Sequence, residues 1–157
     1  MLEAAGWKGK RGTAFLNRPK DAGFARAAVR ALSARGQVQL HSLMLDKRMF
    51  AGLIVFIDAG QAWTWKTAYN EALKPYSPGV LLMIETLKTH LQDPALHLTD
   101  SCAVPDHPVM SRLFHERQSF GTVILGLTGR SENNIRKISA QLRHYDQIRK
   151  FIRTLRK

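Results

Sequence analysis

The segment Trp63-Thr-Trp-Lys-Thr-Ala-Tyr-Asn-Glu71 continues through Lys74-Pro-Tyr-Ser-Pro-Gly79 into the apolar stretch Val80-Leu-Leu-Met-Ile-Glu-Thr-Leu87. The pattern predicts a strand, a loop that stops at Ser77, and a helix that begins at Pro78, where a missing N–H costs nothing. Gly79 has no side chain and allows another molecule close to the backbone. Free N–H groups and the positive end of the helix dipole would attract an anion such as pyrophosphate. The stretch predicts an anion-binding helix start, with an ordinary helix start as the alternative.

Length and composition predict one globular domain over residues 1–157. The chain has 157 residues, of which 45% are hydrophobic and 23% charged, enough for one core and too few for two. No apolar run approaches the ~18 residues that span a bilayer, and the polar N-terminal segment, residues 1–18, lacks the apolar centre of a signal peptide. The chain is therefore predicted to be cytoplasmic. A single cysteine, Cys102, excludes an internal disulfide, and no Cys/His cluster has zinc-ligand spacing, so no metal is expected.

The positive charge is concentrated at the C-terminus. Residues 130–157 contain nine basic and two acidic residues, which is seven of the twelve net positive charges of the chain. Apolar residues recur there every three or four positions, which predicts an amphipathic helix with one basic face. These residues are Ile135, Ile138, Leu142, Tyr145, Ile148, Ile152 and Leu155. The favoured interpretation is a terminal helix that packs on a sheet; a surface for nucleic acid or an acidic membrane is the alternative.

The first half of the chain changes from helical to strand periodicity. Residues 20–35 form an amphipathic helix in the prediction, with Phe24, Ala27 and Leu32 on its packing side and Gly36 as its end. Three strands follow over residues 38–45, 50–57 and 62–69, joined by short turns at 46–48 and 58–60. They form an antiparallel meander. The middle strand is apolar on both faces, so helices must lie on both sides of the sheet.

Four further elements complete the predicted order. The helix from Pro78 runs to about Leu91, a short strand covers residues 95–99, a helix over residues 108–116 is capped by Asp106, and a strand covers residues 121–127. The fold class is therefore α/β, of the α+β kind, with a mixed, mainly antiparallel sheet and helices on both faces. No repeat or low-complexity linker interrupts it.

Four blocks in this order resemble a known family. They are Leu2-Glu-Ala-Ala-Gly-Trp-Lys-Gly-Lys-Arg-Gly-Thr13, Trp65-Lys-Thr-Ala-Tyr-Asn-Glu71, Tyr76-Ser-Pro-Gly-Val-Leu-Leu82 and Asp100-Ser-Cys-Ala-Val-Pro-Asp-His-Pro108. They look like the bacterial branch of the GNAT acetyltransferase superfamily often described as cellulose-biosynthesis (CelD-like) proteins. The resemblance covers nearly the whole chain and corresponds to the C-terminal part of family members that carry a preceding GNAT-like half.

The resemblance implies transfer of an acyl group from acetyl-CoA or another acyl-CoA to an amine or hydroxyl. The acceptor would be a small molecule or saccharide, and the resemblance suggests a role in polysaccharide or cell-envelope biosynthesis. The usual GNAT phosphate loop, Arg/Gln-x-x-Gly-x-Gly/Ala, is replaced here by residues 75–80. Ser77, Gly79, Val80 and Leu81 are the expected cofactor-binding residues. Related transferases take aminoacyl-tRNA and lack the usual loop, so a tRNA-dependent transferase is the less favoured alternative, and a non-catalytic binding half is another.

Such a transfer needs a base for the acceptor and an acid for the leaving thiolate. Glu71 and Asp100 follow predicted strands and are candidate bases, while Tyr69 or Tyr76 could be the acid. Each also has a structural explanation: Glu71 could only pair with Lys66 or Lys74, Asp100 could only cap the turn after it, and the tyrosines could be wall residues.

Several other residues are weaker candidates. His107 is a candidate base because its reference pKa lies near neutrality. Cys102 has no obvious activating neighbour as a nucleophile. Trp63 and Trp65 are expected to fill the core rather than stack on a ligand, and Trp7 could form a lid.

The absence of the paired half predicts self-association. Leu2 and Trp7 begin the chain without a preceding element to bury them, and exposed apolar patches drive association. A homodimer or a missing N-terminal GNAT-like half is the expected partner.

Overall fold

A computed structural model of the chain describes residues 2–119, 121–125 and 132–155. The chain divides into two compact units, Met1–Glu116 and Arg117–Lys157. The single domain expected from composition stays a prediction. Among the described residues, no helix is both long and apolar enough to cross a membrane.

The first unit opens with short helices that the sequence patterns did not predict. They are α1 (Leu2–Ala5), α2 (Trp7–Lys10) and a 3-10 turn at Phe15–Asn17. Helix α3 follows over Pro19–Ser33, with Pro19 in its first turn. Its buried residues are Ala22 and Ala25, whereas Phe24 is 70% exposed. The predicted packing side centred on Phe24 is therefore wrong: small alanine side chains let the helix approach its neighbours closely.

The three-stranded meander is confirmed. Strands β1 (Val38–Leu45), β2 (Arg48–Asp58) and β3 (Gln61–Tyr69) pair antiparallel. The first hairpin turns through Asp46 and Lys47, both with positive φ, as two-residue hairpin loops that match the strand twist require. The turn is tighter than predicted, so β2 begins at Arg48 rather than at residue 50.

The second half of the unit supplies the remaining core element and the edge strand. A 3-10 turn, Glu71–Tyr76, leads into α4 (Pro78–Gln92). Strand β4 covers only Leu98–Asp100 and lies parallel to β3 in the order β1-β2-β3-β4. The predicted strand over residues 95–99 is therefore displaced toward the C-terminus. The result is the mixed, mainly antiparallel sheet with flanking helices that the sequence predicts.

The core forms where α4 packs on the sheet. Its fully buried residues are Ala51, Leu53, Val55, Ala62, Leu82 and Met83. In β2 the buried residues alternate with partly exposed ones, so only one face of that strand is fully buried. The expectation of two fully covered faces holds only in part, because short N-terminal elements give the other face a thinner cover.

Helix α5 (Met110–Leu113) is shorter than the helix predicted over residues 108–116, and its cap is a different residue. The Nδ1 atom of His107 accepts hydrogen bonds from the backbone N–H of Val109 at 3.3 Å and of Met110 at 3.2 Å. The N-cap position of α5 is Val109, so the helix does not begin where the predicted Asp106 cap would place it. The imidazole accepts hydrogen bonds from backbone N–H groups at the helix start, which is the role that an aspartate often has there.

In the second unit the structure describes one regular element, α6 (Glu132–Leu155). Residues 121–125 have no regular structure, so the predicted strand over residues 121–127 is absent from its described part; residues 126–127 lie outside the described residues. Five of the seven residues of the apolar stripe are exposed, and the packing of this helix on a sheet stays a prediction. They are Leu142, Tyr145, Ile148, Ile152 and Leu155.

Two threonines on the core side of the sheet provide a matched test of buried hydroxyl groups. Thr86 in α4 is 1% exposed and its Oγ1 has no hydrogen-bond partner among the described residues. Thr64 is 5% exposed and donates its hydroxyl to the Ser101 carbonyl at 2.8 Å. We expect Thr86→Val to stabilise the protein by about 1 kcal/mol, because an unpaired polar group leaves the core, and Thr64→Val to destabilise it by about 1–2 kcal/mol. Urea unfolding midpoints measure both changes in stability. Changes of the same sign in the two variants would contradict the assignment of Thr86 as unpaired and Thr64 as paired.

Candidate functional site

The sheet opens between β3 and β4. The two strands pair only from Gln61 to Trp63, opposite Leu98 to Asp100. One step further, the bond from Thr64 Oγ1 to the Ser101 carbonyl replaces a ladder bond, and Trp65 is an extra residue that shifts the register of β3 against β2. A bulge of this kind bends the strand and leaves its extra residue unpaired. The strands therefore separate at the point where the candidate site begins.

A cavity of about 250 Å³ fills this opening. Its wall is formed by Thr64, Trp65 and Thr67 on β3, Met83 on α4, residues 101–104 after β4, and His107 and Met110.

A larger cavity of about 520 Å³ adjoins it, with Trp65, Thr67, His107 and Met110 common to both. It extends along β3 between the N-terminal helices and the start of α4. The two cavities together form a cleft along one end of the sheet, and we refer to them as the small and large cavities.

Most of the sequence-predicted site residues line the large cavity. They are Tyr69, Glu71, Ser77, Gly79, Val80 and His107. Three others lie outside both cavity walls: Asp100, Tyr76, which is 72% exposed, and Leu81, which is 47% exposed.

The start of α4 has fewer free donors than predicted. The N–H groups of Val80 and Leu81 donate to the Ser77 carbonyl at 2.9 and 3.1 Å. The prediction that Gly79, Val80 and Leu81 all present free N–H groups is therefore wrong for the last two. With Ser77 at the N-cap, the Leu81 N–H makes the first i to i−4 bond of the helix, and the Val80 N–H makes a 3-10 bond to the same carbonyl. Gly79 itself faces Tyr69: a Cβ at this position would lie 3.3 Å from the tyrosine ring.

The Glu71 carboxylate binds backbone rather than a lysine. Its Oε1 accepts a hydrogen bond from the N–H of Trp7, the first residue of α2, and lies against Gly6, which has no side chain to cap that helix. A carboxylate at a helix start satisfies orphan N–H groups and the helix dipole. Pairing of Glu71 with Lys66 is not found, since Lys66 binds Glu3. Glu71 thus joins the N-terminal segment to the end of β3.

A charge cluster of Lys8, Glu3 and Lys66 lines the large cavity, and sequence reasoning missed it. Glu3 Oε1 lies 2.7 Å from Lys66 Nζ and 3.8 Å from Lys8 Nζ, and Oε2 accepts from the N–H of Phe15 at 3.1 Å. Burial alone would raise the pKa of Glu3, but the close contact and charge of Lys66, the Phe15 N–H and the charge of Lys8 together lower it. The pKa of Lys8 is lowered by burial and by the Lys66 charge, against the opposing effect of Glu3. No periodicity marks these residues, because the cluster joins α1, α2 and β3.

Asp100 and Cys102 form a turn. Asp100 Oδ1 accepts from the Cys102 N–H at 2.7 Å, which is the structural role that its position allowed. Desolvation raises the pKa of the Cys102 thiol, and the Asp100 charge raises it further. A raised pKa leaves little thiolate at neutral pH, which disfavours Cys102 as a nucleophile.

The tryptophans divide between packing and exposure. The Trp65 ring lies between the rings of Phe15 and Phe56, with centroids 5.4 and 5.0 Å away. Trp7 is 47% exposed on the cavity wall, with the Arg11 guanidinium 5.3 Å from its ring centroid. Trp65 packs on the thinly covered face of the sheet but is only partly buried and lines both cavities, so the expected core role holds only in part.

The family model described as an acetyltransferase (GNAT) domain matches residues 2–99, more than half of the chain. The chain belongs to the GNAT acetyltransferase family. GNAT acetyltransferases use acyl-CoA as their substrate. The paired parts of β3 and β4 that border the opening fall within the matched residues, except for Asp100. The fold that the four blocks implied is thus confirmed. The CelD-like branch and the comparison with a C-terminal half stay predictions.

Two solved structures of an aminoglycoside acetyltransferase from an uncultured soil metagenomic sample are similar to this GNAT domain. One is a complex with sisomicin, at 10% identity and a TM-score of 0.49; the other is a complex with trehalose, at 10% identity and a TM-score of 0.48. Each comparison covers 65% of this chain and 74% of the other. No curated protein matches the chain. Among residues 2–119, 121–125 and 132–155, no group of three or more His, Cys, Asp or Glu side chains is placed to hold a metal ion.

Proposed function

We propose that this GNAT domain transfers an acyl group, most simply acetyl from acetyl-CoA, to an amine or hydroxyl of a small-molecule or saccharide acceptor. The observation that carries the proposal is the opening of the sheet between β3 and β4, where two adjoining cavities run from the Ser101 segment to the start of α4. A cleft of this form can hold an extended thioester with its reacting carbon beside β3 and its phosphates near the helix start.

The roles of the wall residues follow from their chemistry. Ser77, Gly79 and Val80 line the large cavity at the positive end of α4, and the cationic side chain of Lys74 lies on the same wall. The helix dipole and the Lys74 ammonium would both stabilise the negative charge of phosphate groups at the start of α4. Glu71 is the proposed base and Tyr69 the proposed acid, because both line the large cavity. Asp100 and Tyr76, which lie outside both walls, have less support for these roles.

The acceptor class rests on the N-terminal wall. Trp7 presents a half-exposed indole, and Glu71 supplies a carboxylate nearby on the large cavity. Aromatic faces pack against the apolar faces of sugar rings, and carboxylates accept hydrogen bonds from hydroxyl or ammonium groups. Together with the resemblance of the four blocks to CelD-like proteins, this wall supports a saccharide acceptor in polysaccharide or cell-envelope biosynthesis.

Acetyl-CoA turnover in the presence of amino sugars and neutral sugars tests the proposed reaction. We expect release of free thiol that depends on acceptor, together with calorimetric binding of coenzyme A. The same titration with tRNA over a salt series tests the alternative transferase, because tRNA affinity falls steeply with salt. Binding of tRNA without any binding of acetyl-CoA would overturn the acyl-CoA proposal. Sedimentation of the same sample tests the predicted homodimer.

Lys74→Ala tests the orientation of the cofactor. Because Lys74 lies on the cavity wall beside the start of α4, its loss should weaken coenzyme A binding by about tenfold, the size of one charge-assisted hydrogen bond. Lys88→Ala is the matched control: Lys88 lies further along α4, pairs with Glu85 at 2.7 Å and lines neither cavity. Isothermal titration measures both variants. Equal affinities for the two would place the phosphates elsewhere.

A further inference from the structure

The imidazole of His107 is fixed by the backbone that follows it. The residue is half-buried, and its Nδ1 accepts from the Val109 N–H at 3.3 Å and from the Met110 N–H at 3.2 Å. Both donors are amide groups, which can donate and cannot accept. Nδ1 must therefore carry a lone pair and no proton.

This geometry determines the tautomer. A neutral imidazole has one N–H, so when Nδ1 is an acceptor the proton is on Nε2. An Nε2–H group can donate a hydrogen bond, but it has no lone pair with which to take a proton. His107 held in this way is not the general base that its reference pKa suggested from the sequence.

The same ring lines both cavities, at the junction between the opening of the sheet and the larger space beside α4. We infer that His107 is a hydrogen-bond donor to the reacting thioester, with its Nε2–H directed at the carbonyl oxygen. The inference rests on the proposed acyl-CoA function and assigns within it a residue that stabilises negative charge rather than one that moves a proton.

His107 transfers no proton in the proposed acyl transfer. The acceptor nitrogen or oxygen forms a bond to the thioester carbon, and the carbonyl electron pair moves onto oxygen, where the Nε2–H hydrogen bond strengthens. The carbonyl re-forms as the carbon–sulfur bond breaks, and the sulfur leaves with the electron pair as thiolate. The acceptor's proton passes to a carboxylate or water, and the thiolate takes a proton from solvent or the acid. The imidazole keeps its own proton throughout.

Two substitutions separate the two nitrogens of His107. In His107→Asn the amide oxygen can take the place of Nδ1 and keep the cap, as asparagine does at helix starts, but the Nε2 donor is lost. In His107→Gln the longer side chain can place an N–H near the Nε2 position, but it does not reproduce the cap. His115→Asn is the control for a solvent-exposed histidine that lines neither cavity.

We expect His107→Asn to lower kcat for acetyl transfer by about 100-fold with little change in the melting temperature, as when one oxyanion donor is removed. Folded His107→Gln should recover at least part of that loss, and His115→Asn should match the wild type. His107→Asn activity within threefold of the wild type, or no recovery in a folded His107→Gln variant, would overturn the inference.

Nitrogen-15 NMR of the wild-type chain tests the tautomer independently of turnover. A His107 spectrum with the proton on Nε2 at neutral pH supports the assignment, and a proton on Nδ1 overturns it. A wild-type chain that neither binds nor turns over acetyl-CoA would instead overturn the proposed function, and with it the donor role, whatever the NMR result. Failure of the His107 donor role and failure of the proposed acyl-CoA function are therefore distinguishable.

Discussion

Gly9→Ala is expected to disrupt the N-terminal helical pair and to destabilise the protein by at least about 3 kcal/mol, the upper range for overpacking. A Cβ on residue 9 would lie 1.8 Å from the carbonyl oxygen of Ala4 and 2.6 Å from its carbonyl carbon. These are backbone atoms, so no side-chain rotation can relieve the overlap, and α1 and α2 must move apart. Because Trp7 and Lys8 line the large cavity, acetyl transfer should fall with stability.

The matched control is Gly23→Ala in α3. A Cβ there meets nothing within 4 Å, and Gly23 lies inside a helix, where alanine is favoured by about 0.5–1 kcal/mol. The same substitution should therefore lower the urea midpoint at residue 9 and raise it at residue 23. A Gly9→Ala protein with the wild-type midpoint would show that α1 and α2 are not packed in this way.

Glu3→Ala is expected to destabilise the protein by about 2–3 kcal/mol, somewhat less than a broken fully buried ion pair, because both lysine partners are partly exposed. The Glu3 side chain is 14% exposed and contacts Lys66, Lys8 and the Phe15 N–H. Its removal leaves two lysines close together on the cavity wall without a counterion, and one backbone donor without its acceptor. Urea unfolding at pH 7 measures the loss.

Glu85→Ala is the control, because the Glu85–Lys88 pair has the same N–O distance as the Glu3–Lys66 pair but is much more exposed. The Glu85 carboxylate lies 2.7 Å from Lys88 Nζ, as that of Glu3 does from Lys66 Nζ, but the side chains of Glu85 and Lys88 are both more than half exposed. Exposed pairs contribute little, so we expect a change of about 0.5 kcal/mol or less. Equal losses in Glu3→Ala and Glu85→Ala would contradict the importance of burial here.

The pH dependence of the Glu3 contribution has a definite sign. Its pKa is lower in the folded protein than the ordinary value of 4.5, so the folded state favours the ionised carboxylate. The contribution is fully present above the unfolded pKa and is lost as pH falls through the folded pKa. The stability difference between wild type and Glu3→Gln should therefore shrink as the pH falls below the ordinary carboxyl pKa of 4.5 and disappear once the pH is below the lowered pKa of the folded state.

Local patterns predicted the elements whose stability is local. The strand-like segments over residues 38–45, 50–57 and 62–69, separated by short turn-like links, predicted the meander, and the apolar run after Pro78 predicted α4. Prediction failed where the elements are short. Strand β4 and α5 are three and four residues long, too short for a periodicity to define their limits, and the fit between neighbours sets where they begin.

The candidate site shows the same division. The sequence indicated that residues 69–79 face a ligand cleft, because a strand end, a loop and a helix start follow one another there. For Glu71 it offered a catalytic base or, as the structural alternative, a lysine partner, whereas the Glu71 carboxylate binds the Trp7 N–H, 64 residues away in the chain. Such a contact leaves no trace in local spacing, since either partner is an ordinary surface residue within its own segment.

The sequence by itself determined the family, the three-stranded meander with α3 before it and α4 after it, and the concentration of positive charge from residue 130 onward, because these depend on composition, periodicity and short motifs. Only the tertiary structure decided which groups meet at the cleft. It joined Glu3 with Lys8 and Lys66, opened the sheet after Trp63, and turned His107 from a candidate base into a helix cap with its proton on Nε2. The reason is that a side chain's protonation and partners depend on the atoms around it in space, and those atoms come from segments far apart in the chain.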